Sequence, residues 1–261
     1  MIMNKFHFYK YDGAGNDFVI MDIRQQKFDL TTEQIAHICH RRFGVGADGL
    51  MTLNNADGYD FEMKYYNSDG KLGSMCGNGG RCIVAFAYSL GLFEHTTHFV
   101  GYDGAHDGEI LMWNKEQNIG IVKLGMRDIM CKDVRKCLDG WFLDTGSPHY
   151  VQRVEDLTHF DVYNEGKRLR YDAEFPEGTN VDFIETMEDG SLFVRTYERG
   201  VEDETWACGT GVTASAIVSG NGKIKTRGGD FKVTFEPTGD AYREVKLMGP
   251  VALNFQGDIE I

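Results

Sequence analysis

No apolar run in this chain is long enough to span a membrane; the longest, residues 83–93, is already broken by Ser89 and Gly91. The first residues, Met1-Ile2-Met3-Asn4-Lys5-Phe6-His7, lack the extended apolar centre of a secretory signal. Basic charge is also scarce. The 27 Lys and Arg stand against 40 Asp and Glu, a net charge of −13. That balance argues against nucleic acid or an anionic membrane as partner, since both need basic patches. A local cationic pocket for a small anion stays open. Among the six cysteines (Cys39, Cys76, Cys82, Cys131, Cys137, Cys208) there is no Cys-x-x-Cys pair, and the Cys-x5-Cys spacings at 76/82 and 131/137 are not zinc spacings. His37 and His40 flank Cys39, but no fourth ligand accompanies them, so a polar helix face is the better reading. The expectation is a cytoplasmic protein with reduced thiols and no metal.

At 261 residues, 42% hydrophobic and 12% aromatic, the chain suits two globular domains. Two segments repeat one device: Met75-Cys76-Gly77-Asn78-Gly79-Gly80-Arg81 and Ala207-Cys208-Gly209-Thr210-Gly211-Val212-Thr213. Each sets a cysteine before Gly-x-Gly, and each runs into an apolar stretch able to form a helix (82–90, 214–219). A thiol at a helix N-terminus meets the positive end of the macrodipole, which favours the reactive thiolate. Glycines let backbone N–H groups approach an anion closely.

The duplication extends upstream. Strand-like runs at 61–66 and 192–197 end in the turn signals Asn67-Ser68-Asp69-Gly70 and Glu198-Arg199-Gly200. Farther back, Gly15-Asn16-Asp17-Phe18-Val19-Ile20 echoes Thr179-Asn180-Val181-Asp182-Phe183-Ile184. A twofold repeat of long period implies two similar domains rather than a solenoid. Thr31-Thr32-Glu33-Gln34 carries a capping box that opens a helix through Ile35, Ile38 and Cys39 to a stop at Gly44. Segments 109–124, 150–154, 231–236 and 242–248 read as strands, 131–138 is ambiguous, and 251–261 suits a last strand in either domain. The expected fold is α/β of the α+β type. Its two pseudo-symmetric domains, 1–125 carrying Cys76 and 126–250 carrying Cys208, each wrap a mixed or antiparallel sheet around a central helix, with both thiols in the cleft between them. The tail 251–261 stays open to a return to the first domain.

One activated cysteine suggests covalent catalysis. Two opposed ones permit a different chemistry. A thiolate takes a proton from a carbon and a thiol returns one to the other face, inverting a stereocentre. The carbon acid is far weaker than a thiol of pKa ~8.5. Backbone N–H groups of both Cys-Gly-x-Gly turns, in a site closed to water, would have to stabilise the developing negative charge.

Seven segments together are similar to the diaminopimelate epimerase family: 12–18 (Asp-Gly-Ala-Gly-Asn-Asp-Phe), 42–49 (Arg-Phe-Gly-Val-Gly-Ala-Asp-Gly), 75–82, 146–151 (Gly-Ser-Pro-His-Tyr-Val), 177–181 (Glu-Gly-Thr-Asn-Val), Glu198-Arg199-Gly200 and 207–211. They follow the family's order and are specific in combination. The resemblance implies a cytoplasmic homodimer that converts LL-diaminopimelate to the meso isomer, on the route to lysine and peptidoglycan, with neither pyridoxal phosphate nor metal. It assigns Cys76 and Cys208 as the acid/base pair and His149 and Glu198 as groups assisting them. Asn16, Asn67, Asn180, Glu198 and Arg199 fall at substrate-binding positions, and Gly77, Asn78, Gly209 and Thr210 at the turns that hold the anion. Arg199 suits a distal carboxylate, and the asparagines suit a centre bearing both carboxylate and ammonium.

Three departures stand out. Ser147 replaces the asparagine of Gly-Asn-Pro-His. Gly49 stands where some members have glutamine. The stretch 200–207 is one residue longer than the common pattern, an extra residue expected as a bulge.

Blander readings apply elsewhere. Cys39, Cys82, Cys131 and Cys137 are expected to be small buried apolar residues, Gly44-Val45-Gly46 and Gly228-Gly229 to be simple turns, and Glu202-Asp203-Glu204 to be a solvated loop. Two rival functions remain: a racemase of the proline racemase type, disfavoured because proline has no second charged end for Glu198, Arg199 and the asparagines, and a non-catalytic thiol switch closed by a Cys76–Cys208 disulfide.

Overall fold

The computed structural model describes residues 5–73 and 76–261. Met1–Asn4, Ser74 and Met75 lie outside the described residues, so the signal reading at the N-terminus and the first position of the Cys76 motif do too. The chain divides into two compact units, Met1–Leu124 with Pro250–Ile261, and Gly125–Gly249.

In the first unit, β1 (Lys5–Gly13) and β2 (Asn16–Asp22) form a hairpin. Its two-residue turn is Ala14-Gly15, both at positive φ (60° and 86°), the twist that tight hairpins favour. Phe18, Val19, Ile20 and Met21 are all fully buried, so β2 is covered on both faces. Helix α1 (Thr32–Cys39) carries the expected capping box at Thr31 and Gln34 and turns Ile35, Ile38 and Cys39 inward. It ends at Cys39 and not at Gly44, because the chain doubles back there. The Gly46 N–H bonds Ile38 O at 3.0 Å, and a Cβ on Gly44 would lie 2.0 Å from His37 O. β3 (Gly49–Asn54) runs parallel to β2, and β4 (Glu62–Asn67) is antiparallel to β3. Helix α2 (Gly77–Ser89) follows, buried from Gly77 to Ala87 on every side, as a central helix must be. It packs on β1, β2 and β3. β5 (Thr96–Gly101) returns parallel to β4. The single strand expected over 109–124 is a hairpin of β6 (Gly104–Asn114) and β7 (Ile119–Gly125), since Asn114 Oδ1 accepts the Glu116 and Gln117 amides and reverses the chain.

The second unit contains β8 (Ile129–Met130), β9 (Arg135–Cys137), β10 (Gly140–Asp144), β11 (Pro148–Arg153), α3 (Val162–Arg170), β12 (Asn180–Thr186), β13 (Leu192–Glu198), β14 (Asp203–Thr205), α4 (Gly209–Ser219), β15 (Lys223–Lys225), β16 (Asp230–Pro237) and the first half of β17 (Ala241–Glu260), which belongs to the first unit from Pro250 on. α3 was not legible in sequence: only Val162, Gly166 and Leu169 are buried on an otherwise polar helix. Its mid-helix Gly166 is required because a Cβ there would lie 2.3 Å from Tyr197 Cβ. α4 is buried over most of its length and packs on β11, β12, β13 and β16. β17 pairs with β16 near its start, then with β1 over residues 252–260, so the tail is a strand of the first unit.

The two units repeat one pairing order. β1-β2-β3-β4-β5-β6-β7 matches β10-β11-β12-β13-β15-β16-β17, with parallel pairs at β2/β3 and β11/β12 and again at β4/β5 and β13/β15. α1 and α3 bridge the first parallel pairs, α2 and α4 the second. The duplication of the cysteine device is therefore real. The echo of Asn16 in Asn180 is not. Asn16 opens β2, whose counterpart is β11, whereas Asn180 opens β12, whose counterpart is β3. In register, Gly49 lies opposite Asn67, and Val181 opposite Tyr197, the residue before Glu198. Gly49 is thus the counterpart of Asn180, and Asn67 that of Glu198.

Candidate active site

In the first unit, Cys76 is the N-cap of α2. Its Sγ accepts the Gly79 N–H at 3.2 Å, a bond that favours sulfur carrying negative charge. Asn16 Oδ1 lies 4.0 Å from the same sulfur and accepts from Asn78 Nδ2 at 3.3 Å. A chain of charged partners orients both amides. Arg81, wholly buried, donates to Asn78 Oδ1 and to Gly77 O, each at 3.0 Å. Burial pushes its guanidinium down to about 10. On the other side Asn16 Nδ2 donates to Asp48 Oδ2 at 2.6 Å, and Arg41 bridges Asp48 and Asp17. Lys10, 5% exposed, completes the cluster on Asp17 at 2.6 Å. Asn16, Cys76, Gly77 and Asn78 are thus brought together. Asn67, exposed at the end of β4, closes the turn there by donating its N–H to Lys71 O. Gly49 has a steric explanation: a Cβ there would lie 2.4 Å from the Tyr65 ring, which fills the space a longer side chain would need.

In the second unit, Cys208 is the N-cap of α4, and its Sγ lies 3.3 Å from Thr210 Oγ1. The helix-terminus argument for a ready thiolate fails at this residue. Burial pushes the thiol well above its ordinary range, and the charges of Glu198 and Asp182 add to that, against the Thr210 hydroxyl. Around Thr210 the side chains form a closed network. His149 Nε2 lies 2.8 Å from Thr210 Oγ1 and 3.0 Å from Ser147 Oγ, and the two hydroxyls are 3.1 Å apart. His149 Nδ1 is 2.6 Å from Asp182 Oδ2, with neither side chain exposed. Thr196 Oγ1 donates to Asp182 Oδ1 at 2.7 Å. Asn180 Nδ2 donates to Ser147 Oγ and Pro148 O, while its Oδ1 accepts the Arg199 N–H at 2.8 Å. Arg199 Nη1 donates to Glu177 O. His149, Asn180, Arg199, Cys208 and Thr210 therefore form one hydrogen-bonded set, with Glu198 near enough to act on Cys208 by its charge.

Three expectations about surrounding residues change. The longer stretch 200–207 is no bulge but a hairpin. β14 folds back on β13, and Glu202, at φ 59°, returns its N–H to Glu198 O at 2.8 Å. The acidic run is not simply solvated. Glu204, 11% exposed, takes both oxygens to Arg195 at 2.7 Å, with Arg227 at 3.1 Å, and Glu202 accepts from Arg170 and Tyr171. Cys39 and Cys82 are buried as expected, but Cys131 is exposed and Cys137 half-buried, because the ambiguous stretch is a short turn and an edge strand.

The sequence reading missed Arg81, Asp48 and Asp182. Arg81 carried a signal, a charge within an otherwise apolar helix beside Cys76. Asp182 carried another: it follows Asn180 by two positions on one strand and so shares its face.

The family described as diaminopimelate epimerase matches residues 8–125 and 141–253. The diaminopimelate epimerase of Flavobacterium psychrophilum is 42% identical over 261 residues, covering 96% of this chain and 99% of the relative. Among solved structures, a PhzF-family phenazine biosynthesis protein of Bacillus anthracis superposes with a TM-score of 0.72 at 15% identity, over 99% of this chain and 100% of that one. A hydroxyproline epimerase of Agrobacterium vitis does so at 0.70 and 13%, over 98% and 93%. At such identities these two show a common fold only.

Proposed function

We infer the mechanism from one premise: the chain belongs to the diaminopimelate epimerase family. It is an isomerase that interconverts LL- and meso-diaminopimelate. In the proposed mechanism Cys76 and Cys208 act on one α-carbon from opposite faces, one as thiolate base and the other as thiol acid. The observation that carries this reading is their equivalence. Each caps the same buried helix of the same repeated topology, with Gly-x-Gly supplying the first turn of backbone N–H groups. Those turns, with Asn78 and Thr210, hold the reacting carboxylate and stabilise enolate character developing on it. Asn16, Asn67, Asn180, Glu198 and Arg199 read the charged groups of the substrate, and His149 and Glu198 assist the thiols. Proton transfer alone completes the reaction, so neither pyridoxal phosphate nor metal takes part. Ser147, bonded to His149, Thr210 and Asn180, stands where the family has asparagine, so the substrate contact made there is shorter or replaced. We read the working protein as a cytoplasmic homodimer on the resemblance alone; no helix among the described residues is long and apolar enough to cross a membrane.

The test is proton NMR of LL-diaminopimelate with reduced protein in D2O, with proline alongside. The expected result is loss of the α-proton signal together with appearance of the meso isomer, confined to diaminopimelate. Exchange with proline alone would replace this reading with a proline racemase activity. Silence with both, the thiols being reduced, would leave the thiol switch.

A further inference from the structure

We propose that Asp182 is a positioning residue for proton transfer at Cys208: it fixes the His149 ring so that Nε2 receives the Cys208 proton through the Thr210 hydroxyl. This deepens the two-thiol reading and rests on it for the identity of the reaction.

The geometry supplies every link within one unit. Asp182 Oδ2 is 2.6 Å from His149 Nδ1, His149 Nε2 is 2.8 Å from Thr210 Oγ1, and Thr210 Oγ1 is 3.3 Å from Cys208 Sγ. Buried carboxylates need donors. Asp182 has two, the Thr196 hydroxyl on Oδ1 and, on Oδ2, a ring N–H that only a Nδ1-protonated imidazole provides. The neutral ring then presents Nε2 as an acceptor, which is what a base requires. The hydroxyls of Thr210 and Ser147 face that nitrogen at 2.8 and 3.0 Å, and either can donate to it.

The step balances without an outside reactant. The Cys208 S–H bond breaks and its proton passes to Thr210 Oγ1. Thr210 gives its own hydroxyl proton to His149 Nε2. A thiolate and an imidazolium result, Thr210 is unchanged, and the Asp182 carboxylate stabilises the imidazolium without being protonated. Cys208 needs such a route, because burial disfavours its thiolate. The titratable groups facing it are His149 on β11, Asp182 on β12 and Glu198 on β13. His149 is joined to it through a single hydroxyl, that of Thr210, while the charge of Glu198 raises the thiol.

The fold makes space for this pair at one glycine. A Cβ on Gly211 would lie 2.2 Å from Asp182 Oδ1 and 3.1 Å from His149 Cε1. The second glycine of Cys-Gly-x-Gly therefore admits the Asp182–His149 pair beneath the helix terminus, a role separate from binding an anion.

Two measurements on the full chain decide the matter. The first is the tautomer of His149 by long-range 15N–1H NMR, assigned with a His149→Gln variant. The wild type should show protonated Nδ1 and bare Nε2. Asp182→Asn, whose amide donates to Nδ1, should show the reverse. That variant should also lose about a hundredfold in kcat with KM within about threefold, the scale of a lost acid/base group. Should Asp182→Asn fail to fold, Thr210→Ala and Thr210→Ser decide: the alanine variant should lose kcat about a hundredfold, and the serine variant should regain most of it. A wild-type ring protonated at Nε2, or a Thr210→Ala variant as fast as Thr210→Ser, would overturn the proposal. The tautomer is read without substrate. Failure of the wild type to epimerise diaminopimelate, with the tautomers as expected, would therefore overturn the proposed reaction and leave the Asp182–His149 assignment standing.

Discussion

Gly211 and Asp182 meet so closely that the glycine can bear no side chain: a Cβ at 211 would lie 2.2 Å from Asp182 Oδ1. The corresponding glycine of the first unit, Gly79, is looser. Its Cβ would meet Cys76 Sγ and Met51 Sδ, both at 3.3 Å, and the methionine end can move. The same motif position is thus held by different constraints in the two halves. Gly211→Ala should destabilise by about 1–3 kcal/mol through overpacking against the buried, hydrogen-bonded Asp182 and His149 side chains. Gly79→Ala should fall within about 1 kcal/mol of wild type, because alanine's better helix propensity offsets a mild contact. Urea unfolding of the two variants checks this; equal losses would mean that Asp182 yields readily and is not held in place.

Cys76→Ser and Cys208→Ser should each lower epimerisation by at least about a hundredfold in both directions, since each direction uses both groups. Their remaining chemistry should differ. In D2O each variant retains one competent thiol, so α-proton exchange without inversion should survive for one isomer and vanish for the other, with the isomers interchanged between the two variants. Unimpaired inversion in either variant would refute the two-base scheme.

Asp17 sets an acid limit on the first unit. Burial alone would raise its carboxyl, but the hydrogen bonds and charges of Arg41 and Lys10 outweigh it and hold the group at about 2. The folded value lies below the unfolded one, so the stabilisation is complete above about pH 4 and is lost as pH falls toward 2. The shift corresponds to about 2 kcal/mol. Urea unfolding of wild type and Asp17→Asn should differ by roughly that amount at pH 6, and the difference should shrink at pH 2.5. A gap independent of pH would mean that packing, and not ionisation, is what Asp17 contributes.

Local chemistry was legible without coordinates. The capping box at Thr31 and Gln34 satisfies neighbouring amides. The two Cys-Gly-x-Gly turns start helices because glycine and a small N-cap suit a helix terminus. Both follow from residues within a few positions of one another. The end of α1 was misplaced because the Gly44–Gly46 turn that stops it depends on the chain doubling back. α3 was missed because a mostly polar helix with a central glycine turns only Val162 and Leu169 inward as apolar anchors, and its glycine answers to Tyr197, distant in sequence.

The two cysteine caps, the duplicated strand-turn-helix units and the family are written in contiguous residues, whose propensities and spacing act locally. Three other relationships arise only on folding: Asn16 and Asn180 are not counterparts, Arg81 orients Asn78, and Asp182 grips His149. The first and the last depend on strand register. The parallel pairing of β11 with β12 sets His149 beside Asn180, one pleat from Asp182, and no local preference of residues 31 or 33 positions apart encodes that pairing.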